Sequence, residues 1–246
     1  YMIRRLKSDV LTELPEKIVT DVPFPLSEEE KKFYDRLKKE LLFEIQKTDI
    51  SKLNTPMSIQ FTLVKMTRLR QVADSMELLG ENVKSSKMEV LKELLTEFQE
   101  GDQKIIIFSE FSEMCKILKR ELVEWKPLMI IGETNAKERG EVVEKFNVDP
   151  ARRLLIMSSA GAWGLNLQVA SVIINYDQAW SLAKMSQREG RAHRMGQKRS
   201  VQVFHLLAEK TVDHYIKKML HDKANLSREV LGDTPIGINQ IKDILH

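Results

Sequence analysis

The sequence predicts an α/β fold: a parallel sheet flanked by helices, preceded by an N-terminal helical insertion. Three observations carry this. From Ser85 onward, short apolar or β-branched runs alternate with longer stretches of helical period, the pattern of repeated βα units. The apolar runs are continuous rather than alternating, as in strands covered on both faces. Upstream, residues 27–80 keep an apolar helical period with no strand-like run between.

Taken in order, residues 1–26 read as a linker with one edge strand, because Asp21-Val22-Pro23-Phe24-Pro25 carries two prolines that bar a long helix. Ser27-Glu28-Glu29-Glu30 is a capping box. It predicts a helix over residues 28–46 with Phe33, Leu37, Leu41 and Ile45 on its apolar stripe. After a polar interruption at 48–56, the period resumes over 57–79 through Ile59, Leu63, Met66, Leu69, Val72 and Met76. Further helices are predicted at 87–99, 112–125, 136–146, 184–195 and 212–223, and strands at 104–108, 128–131, 153–157, 172–176 and 201–207. The tail from Leu231 contains Gly232, Pro235 and Gly237, which break any long helix. The resulting organisation is a linker (1–26), a helical protrusion (27–84), the sheet domain (85–210) and a final helix with its tail (211–246).

Composition narrows the classes. No apolar run approaches the roughly 18 residues of a membrane span, and the N-terminus lacks a signal peptide's apolar core. Because the sequence opens on Tyr1 rather than Met, it reads as an excised piece of a longer protein. The single Cys115 excludes an internal disulfide framework and a multi-cysteine metal site; on a predicted helix it reads as a small buried apolar residue. The net charge of +3 does not by itself identify a nucleic-acid partner, so clustering of Arg and Lys between 187 and 199 matters more.

Ligands of such sheets bind beyond the carboxyl ends of the strands. The first strand is followed by Ser109-Glu110-Phe111, able to touch a phosphate or to cap the next helix. The second is followed by Gly132-Glu133-Thr134, with Arg139 in the next helix. The third runs into Ser158-Ser159-Ala160-Gly161-Ala162-Trp163-Gly164-Leu165-Asn166-Leu167. Its small residues suit an anion nest, or equally a tight turn with Trp163 plugged into the core. The fourth leads to Asp177-Gln178-Ala179-Trp180, a carboxylate and an aromatic at the same edge, or equally a buried tryptophan with a capping aspartate. Last comes Gln187-Arg188-Glu189-Gly190-Arg191-Ala192-His193-Arg194-Met195-Gly196-Gln197. If this segment is helical, Gln187, Arg191 and Arg194 share one face and present two guanidiniums to one anionic target; the alternative is a solvated basic face. Gly196 falls where a helix ends in a left-handed residue.

Together, Ile105-Ile106-Ile107-Phe108-Ser109-Glu110-Phe111, Ser158 to Leu167, Asp177 with Trp180, and Gln187 to Gln197 resemble, in this order, the motifs of the second RecA-like lobe of SWI/SNF-type translocases of helicase superfamily two. Met2-Ile3-Arg4-Arg5-Leu6-Lys7-Ser8-Asp9-Val10 with Leu14-Pro15-Glu16-Lys17 is similar to the segment that follows the first lobe in that family. The most specific piece is the ending His193-Arg194-Met195-Gly196-Gln197, unlike the Arg-Thr-Gly-Arg ending of DEAD-box proteins.

The resemblance implies a carboxy-terminal RecA-like lobe in which Arg191 and Arg194, with Gln187 beside them, reach across an interlobe cleft to ATP. Gly164 and Asn166 would border the nucleotide, and Ser109, Arg139, Ser158, Ser159, Gly161 and Trp180 would face double-stranded DNA. It also implies an N-terminal RecA-like lobe as partner, Mg held by that lobe, and a nuclear or, in a prokaryote, cytoplasmic and nucleoid location, in chromatin remodelling or DNA repair. The helices of 27–80 would be the family's protrusion and 212–230 its brace helix. Departures from the family pattern are Ser158 for threonine, Ala162 for glycine, the bulky Trp163, and Ser181-Leu182 for Asn-Pro.

No glycine here is followed by lysine, and no Asp-Glu dipeptide occurs, so the phosphate loop Gly-x-x-x-x-Gly-Lys-Ser/Thr and the acidic pair that holds magnesium are both absent. The chain is therefore expected not to hydrolyse ATP alone. A non-catalytic module for DNA or protein docking is the second reading, and an RNA-unwinding helicase the third, disfavoured by the His-Arg-Met-Gly-Gln ending.

Overall fold

The computed structural model describes residues 14–47, 56–161 and 164–226. The upstream motif at Met2–Val10, the loop residues Ala162 and Trp163, and the tail after Leu226 lie outside the described residues. The order of elements is β1 (Lys17–Phe24), α1 (Glu28–Lys47), α2 (Pro56–Asp74), α3 (Ser86–Thr96), β2 (Lys104–Ser109), α4 (Ser112–Glu121), β3 (Leu128–Ile130), α5 (Ala136–Val148), β4 (Leu154–Ser158), β5 (Ala170–Asn175), α6 (Leu182–Glu189), β6 (Val201–Ala208) and α7 (Val212–Leu226), with 3-10 turns at Met76–Leu79 and Val123–Trp125.

Among the described residues the strands form one six-stranded sheet in the order β1-β6-β5-β2-β4-β3. The β2/β4, β2/β5, β3/β4 and β5/β6 pairs are parallel. Strand β1 joins at the edge, with Val201 N–H donating to the Glu16 carbonyl at one end and Glu209 N–H to that of Phe24 at the other, which also makes it parallel. Its exposed pattern and its Pro23 fit an edge, where a missing N–H breaks no ladder. The central strands β4 and β5 are buried throughout, as their unbroken apolar runs predict. Ile106, Phe108, Ile130, Phe146, Leu155, Met157, Leu167 and Ile173 form the core beside them. Register aligns the strand ends: Ser109 stands opposite Ser158, Phe108 opposite Asn175, and Asn175 opposite His205.

The chain divides into two compact units: the sheet unit (up to Asp21, then 97–176 and 183–205) and a helical unit (22–96, 177–182 and 206 onward). In the helical unit α2 packs on α1, α3 and α7. The predicted capping box forms, with Glu30 N–H donating to Ser27 Oγ at 3.3 Å and Ser27 N–H to Glu30 Oε2 at 2.9 Å. Where one helix was expected over 57–79, α2 stops at Asp74. Ser75 is extended (φ −171°) and its Oγ accepts from Glu77 N–H, which starts a separate 3-10 turn closed by Gly80 at φ +84°. Tyr34 Oη accepts from Val212 N–H at 2.7 Å, tying α1 to the start of α7, and burial raises this phenol above its ordinary pKa.

The centre of this unit is charged. Lys87 Nζ lies 2.7 Å from Asp74 Oδ1 and 2.5 Å from Asp213 Oδ2, and all three side chains are fully buried. Two carboxylates thus share one ammonium. Burial pushes the Asp74 carboxyl up to about 8, against the pull of Lys87 and with help from Asp177 and Asp213. Burial also opposes the charge on Lys87, but Asp213 and Asp74 outweigh it and hold the ammonium above its ordinary range. Nearby, Arg70 Nη2 donates to the Gln178 carbonyl at 2.6 Å, stands 3.8 Å from Asp177 and lies over the Trp180 ring at 5.1 Å.

Candidate functional site

The arginine segment departs from its predicted form. A helix was expected through Met195, yet α6 ends at Glu189 and residues 190–196 run in turns. The reason is where the carbonyls go. That of Arg191 accepts from Leu167 N–H at 3.1 Å, and that of Ala192 accepts from Gln197 Nε2 at 3.2 Å, so neither serves the next helical turn. Gly190 weakens helix propagation at the same point.

Gln197 staples this turn. Its amide also donates to the carbonyls of Gln168 and Ala170, each at 2.9 Å, while its Oε1 accepts from Lys198 N–H at 2.9 Å and Arg199 N–H at 3.0 Å. Gly196 has φ +93°, and a Cβ there would also press on Gln168 at 3.2 Å, so the glycine is required on both counts. His193 Nε2–H donates to the Pro15 carbonyl at 2.8 Å, and Lys17 pairs with Glu189 at 2.6 Å. The segment just before β1 is thereby fastened to the turn.

Despite the lost helix, Gln187, Arg191 and Arg194 line one open groove of about 450 Å³ with Leu14, Ser186, Gly190 and Met195. Among the described residues neither guanidinium has an ionic or hydrogen-bonding partner, and Arg191 Nε is buried with none. Burial, then the neighbouring Arg194 charge, holds the Arg191 guanidinium below its ordinary pKa. Two cations facing one groove, without a counter-charge among the described residues, have the chemistry that suits a polyanion.

The other strand exits are organised differently. Ser109 and Ser158 are buried, and their hydroxyls accept from the chain's own N–H groups: Phe111 at 3.2 Å and Gly161 at 3.1 Å. Ser159 Oγ donates to Glu110 and accepts from Arg188. A Cβ on Gly161 would meet the Ile130 carbonyl at 2.7 Å, so close approach of β3 demands glycine. Gly164 is exposed at φ +74° and Asn166 is exposed beside it. Arg139 Nη2 donates to the Thr134 carbonyl at 3.1 Å, closing the turn after β3. Trp180 is half-buried in the helical unit under Arg70. The structure therefore gathers Gln187, Arg191 and Arg194 on one groove and Ser109, Ser158, Ser159 and Gly161 at the neighbouring ends of β2 and β4. Sequence reasoning missed Arg188, Asn175 and His205, which are buried together; the available signal was Asn175, a lone amide closing an apolar strand.

Residues 86–196 match the family described as the helicase conserved C-terminal domain. The chain is 30% identical, over its whole length, to an uncharacterised ATP-dependent helicase of Mycoplasma genitalium, of which it covers 24%. Its fold matches the SWI2/SNF2 ATPase core domain of Sulfolobus solfataricus with a TM-score of 0.78 and 26% identity, over 98% of this chain and 52% of that one. The same archaeal core in complex with double-stranded DNA matches with a TM-score of 0.72 and 28% identity, over 89% of this chain and 47% of that one. The chain spans about a quarter of the length of the curated relatives it matches.

Proposed function

Because this chain carries a helicase conserved C-terminal domain and belongs to the SWI/SNF-type ATP-dependent helicases, we propose that it is the carboxy-terminal motor lobe of an ATP-dependent translocase on double-stranded DNA. The observation that carries this reading is the pair Arg191 and Arg194, whose guanidiniums are without partners among the described residues and line one groove. In a complete motor the γ-phosphate, held by an N-terminal RecA-like lobe with its Mg, would meet these guanidiniums, which stabilise the charge developing on the transferred phosphoryl group. Gln187 would orient the pair, and Gly164 and Asn166 would border the nucleotide.

In this reading the DNA-facing residues of the sheet unit are the strand ends at Ser109, Ser158, Ser159 and Gly161, with Arg139, and that of the helical unit is Trp180. Since the hydroxyls of Ser109 and Ser158 and the backbone N–H groups of Ser159 and Gly161 are used within the chain, contacts from that row would come from residues beside them, suited to phosphates rather than bases. Similarity to an archaeal core in complex with double-stranded DNA supports the choice of substrate.

Two measurements test the reading. The purified chain should turn over no ATP, because it has neither the phosphate loop nor an acidic Asp-Glu pair. The full-length protein should hydrolyse ATP in a reaction stimulated by double-stranded DNA, and Arg194→Ala should lower kcat by about 10³-fold or more while retaining most ATP binding. An unchanged rate in Arg194→Ala would remove the assignment.

A further inference from the structure

Arg188 does not line the arginine groove. It is 2% exposed at the end of α6, and its guanidinium reaches three strand exits at once. Nη2 donates to Glu110 Oε1 at 2.7 Å, just after β2. Nε and Nη2 donate to Ser159 Oγ at 3.1 and 2.9 Å, just after β4. Nη1 donates to Asn175 Oδ1 at 3.3 Å, the last residue of β5. A fourth strand joins through Asn175 Nδ2, which lies 3.3 Å from His205 Nδ1 on β6. The guanidinium also lies over the Phe108 ring at 5.7 Å, and Lys184, one turn back on α6, stands 3.6 Å from Glu110 Oε2.

Only a planar group with five donors serves acceptors in three directions; an ammonium is a point charge that cannot. In a buried setting each of these bonds resists displacement, because a lost partner leaves a desolvated polar group. The turn that bears the arginine pair starts from this locked residue: Arg191 N–H donates to the Arg188 carbonyl at 3.2 Å.

We propose that Arg188 is a positioning residue for the arginine pair. It fixes the point from which residues 190–194 leave α6 relative to the ends of β2, β4 and β5, and so sets where Arg191 and Arg194 meet the phosphates. The proposal rests on the reading of that pair as phosphate-contacting.

The test measures kcat and KM for ATP in the full-length protein carrying Arg188→Lys, Glu110→Gln or Arg194→Ala, with thermal unfolding of each variant. A displaced but intact turn should lower kcat in Arg188→Lys by about 10²-fold, the cost of roughly an ångström of misplacement. KM should change less than about threefold, because ground-state binding is left nearly intact. Loss of fold alone would instead lower kcat in proportion to the folded fraction. Where Arg188→Lys does not fold, Glu110→Gln carries the test, because it keeps the bonds to Ser159 and Asn175; the same fall of kcat at steady KM is expected. A kcat within about threefold of wild type in the folded variant, or a loss matched by the unfolded fraction, overturns the proposal. If Arg194→Ala lowers kcat and Arg188→Lys does not, positioning alone fails; if Arg194→Ala is also silent, the phosphate-contact reading fails and takes the positioning role with it.

Discussion

Replacing Lys87 by methionine keeps the aliphatic stem and removes the only ammonium bonded to both Asp74 and Asp213 among the described residues. Both carboxylates are fully buried, 2.7 and 2.5 Å from that nitrogen, so the variant leaves two buried acids without the ammonium they share. Removing one partner of a buried pair costs about 3–5 kcal/mol. For a chain of this size that corresponds to on the order of 10 °C in Tm. The loss depends on pH. Asp74 already titrates near 8, and without Lys87 it would take up its proton more readily, so acid relieves the repulsion. Urea unfolding of this chain, followed by far-ultraviolet circular dichroism, should show a large loss for Lys87→Met at pH 8.5 and a smaller one at pH 5.5. Adding Asp213→Asn should recover part of the loss at pH 8.5 by removing the second charge. A Lys87→Met variant within about 1 kcal/mol of wild type at pH 8.5, well below that range, would refute the view that this triad holds α2, α3 and α7 together.

Further outcomes follow from the same structure. Because the folded-state carboxyl of Asp74 is raised from 3.8 to about 8, the folded state binds the extra proton between those values. This group's contribution to stability is thus complete at low pH and falls as pH rises toward 8, by at most about 1.4 kcal/mol per pH unit. Asp74→Asn should flatten the stability profile between pH 5 and 8, and an unaltered slope would refute the shift. Gly161→Ala should destabilise the sheet unit by about 1–3 kcal/mol, since its Cβ would sit 2.7 Å from the Ile130 carbonyl; a neutral variant by thermal unfolding would count against that close approach. Gln197→Ala removes three donated and two accepted bonds at a buried site, so ATPase turnover of the full-length protein should fall along with stability, both read on one preparation.

Much of the fold was legible because it rests on period. Runs such as Ile105-Ile106-Ile107 and Val172-Ile173-Ile174 have no polar face, which places them inside a parallel sheet, and Ser27 with Glu30 forms its capping box as read. Two features were hidden. The break at Ser75 turns on a local side-chain bond to Glu77 N–H, and the end of α6 at Glu189 on partners far along the chain such as Leu167; helical period carries no record of either. Charge in a core is similarly opaque: Lys87 and Arg188 read as surface residues by type, yet they are 0% and 2% exposed because their partners come from positions as distant as 213 and 110.

The candidate site shows why the arginine segment had to abandon the helix. On a continuous helix, Arg191 and Arg194 would continue the face begun by Gln187, and their spacing would depend only on the helix itself. In turns, their positions instead follow from what grips the backbone around them: Leu167 on the carbonyl of Arg191, Gln197 on that of Ala192, and His193 on Pro15. Those grips come from the loop after β4, from the segment before β6 and from the segment before β1. A shift in any of them moves two guanidiniums that no carboxylate among the described residues restrains. Burial, and after it the neighbouring Arg194 charge, lowers the Arg191 pKa. In the proposed reading, the surrounding hydrogen bonds hold the pair in place so that its charge meets an anion arriving from outside the chain.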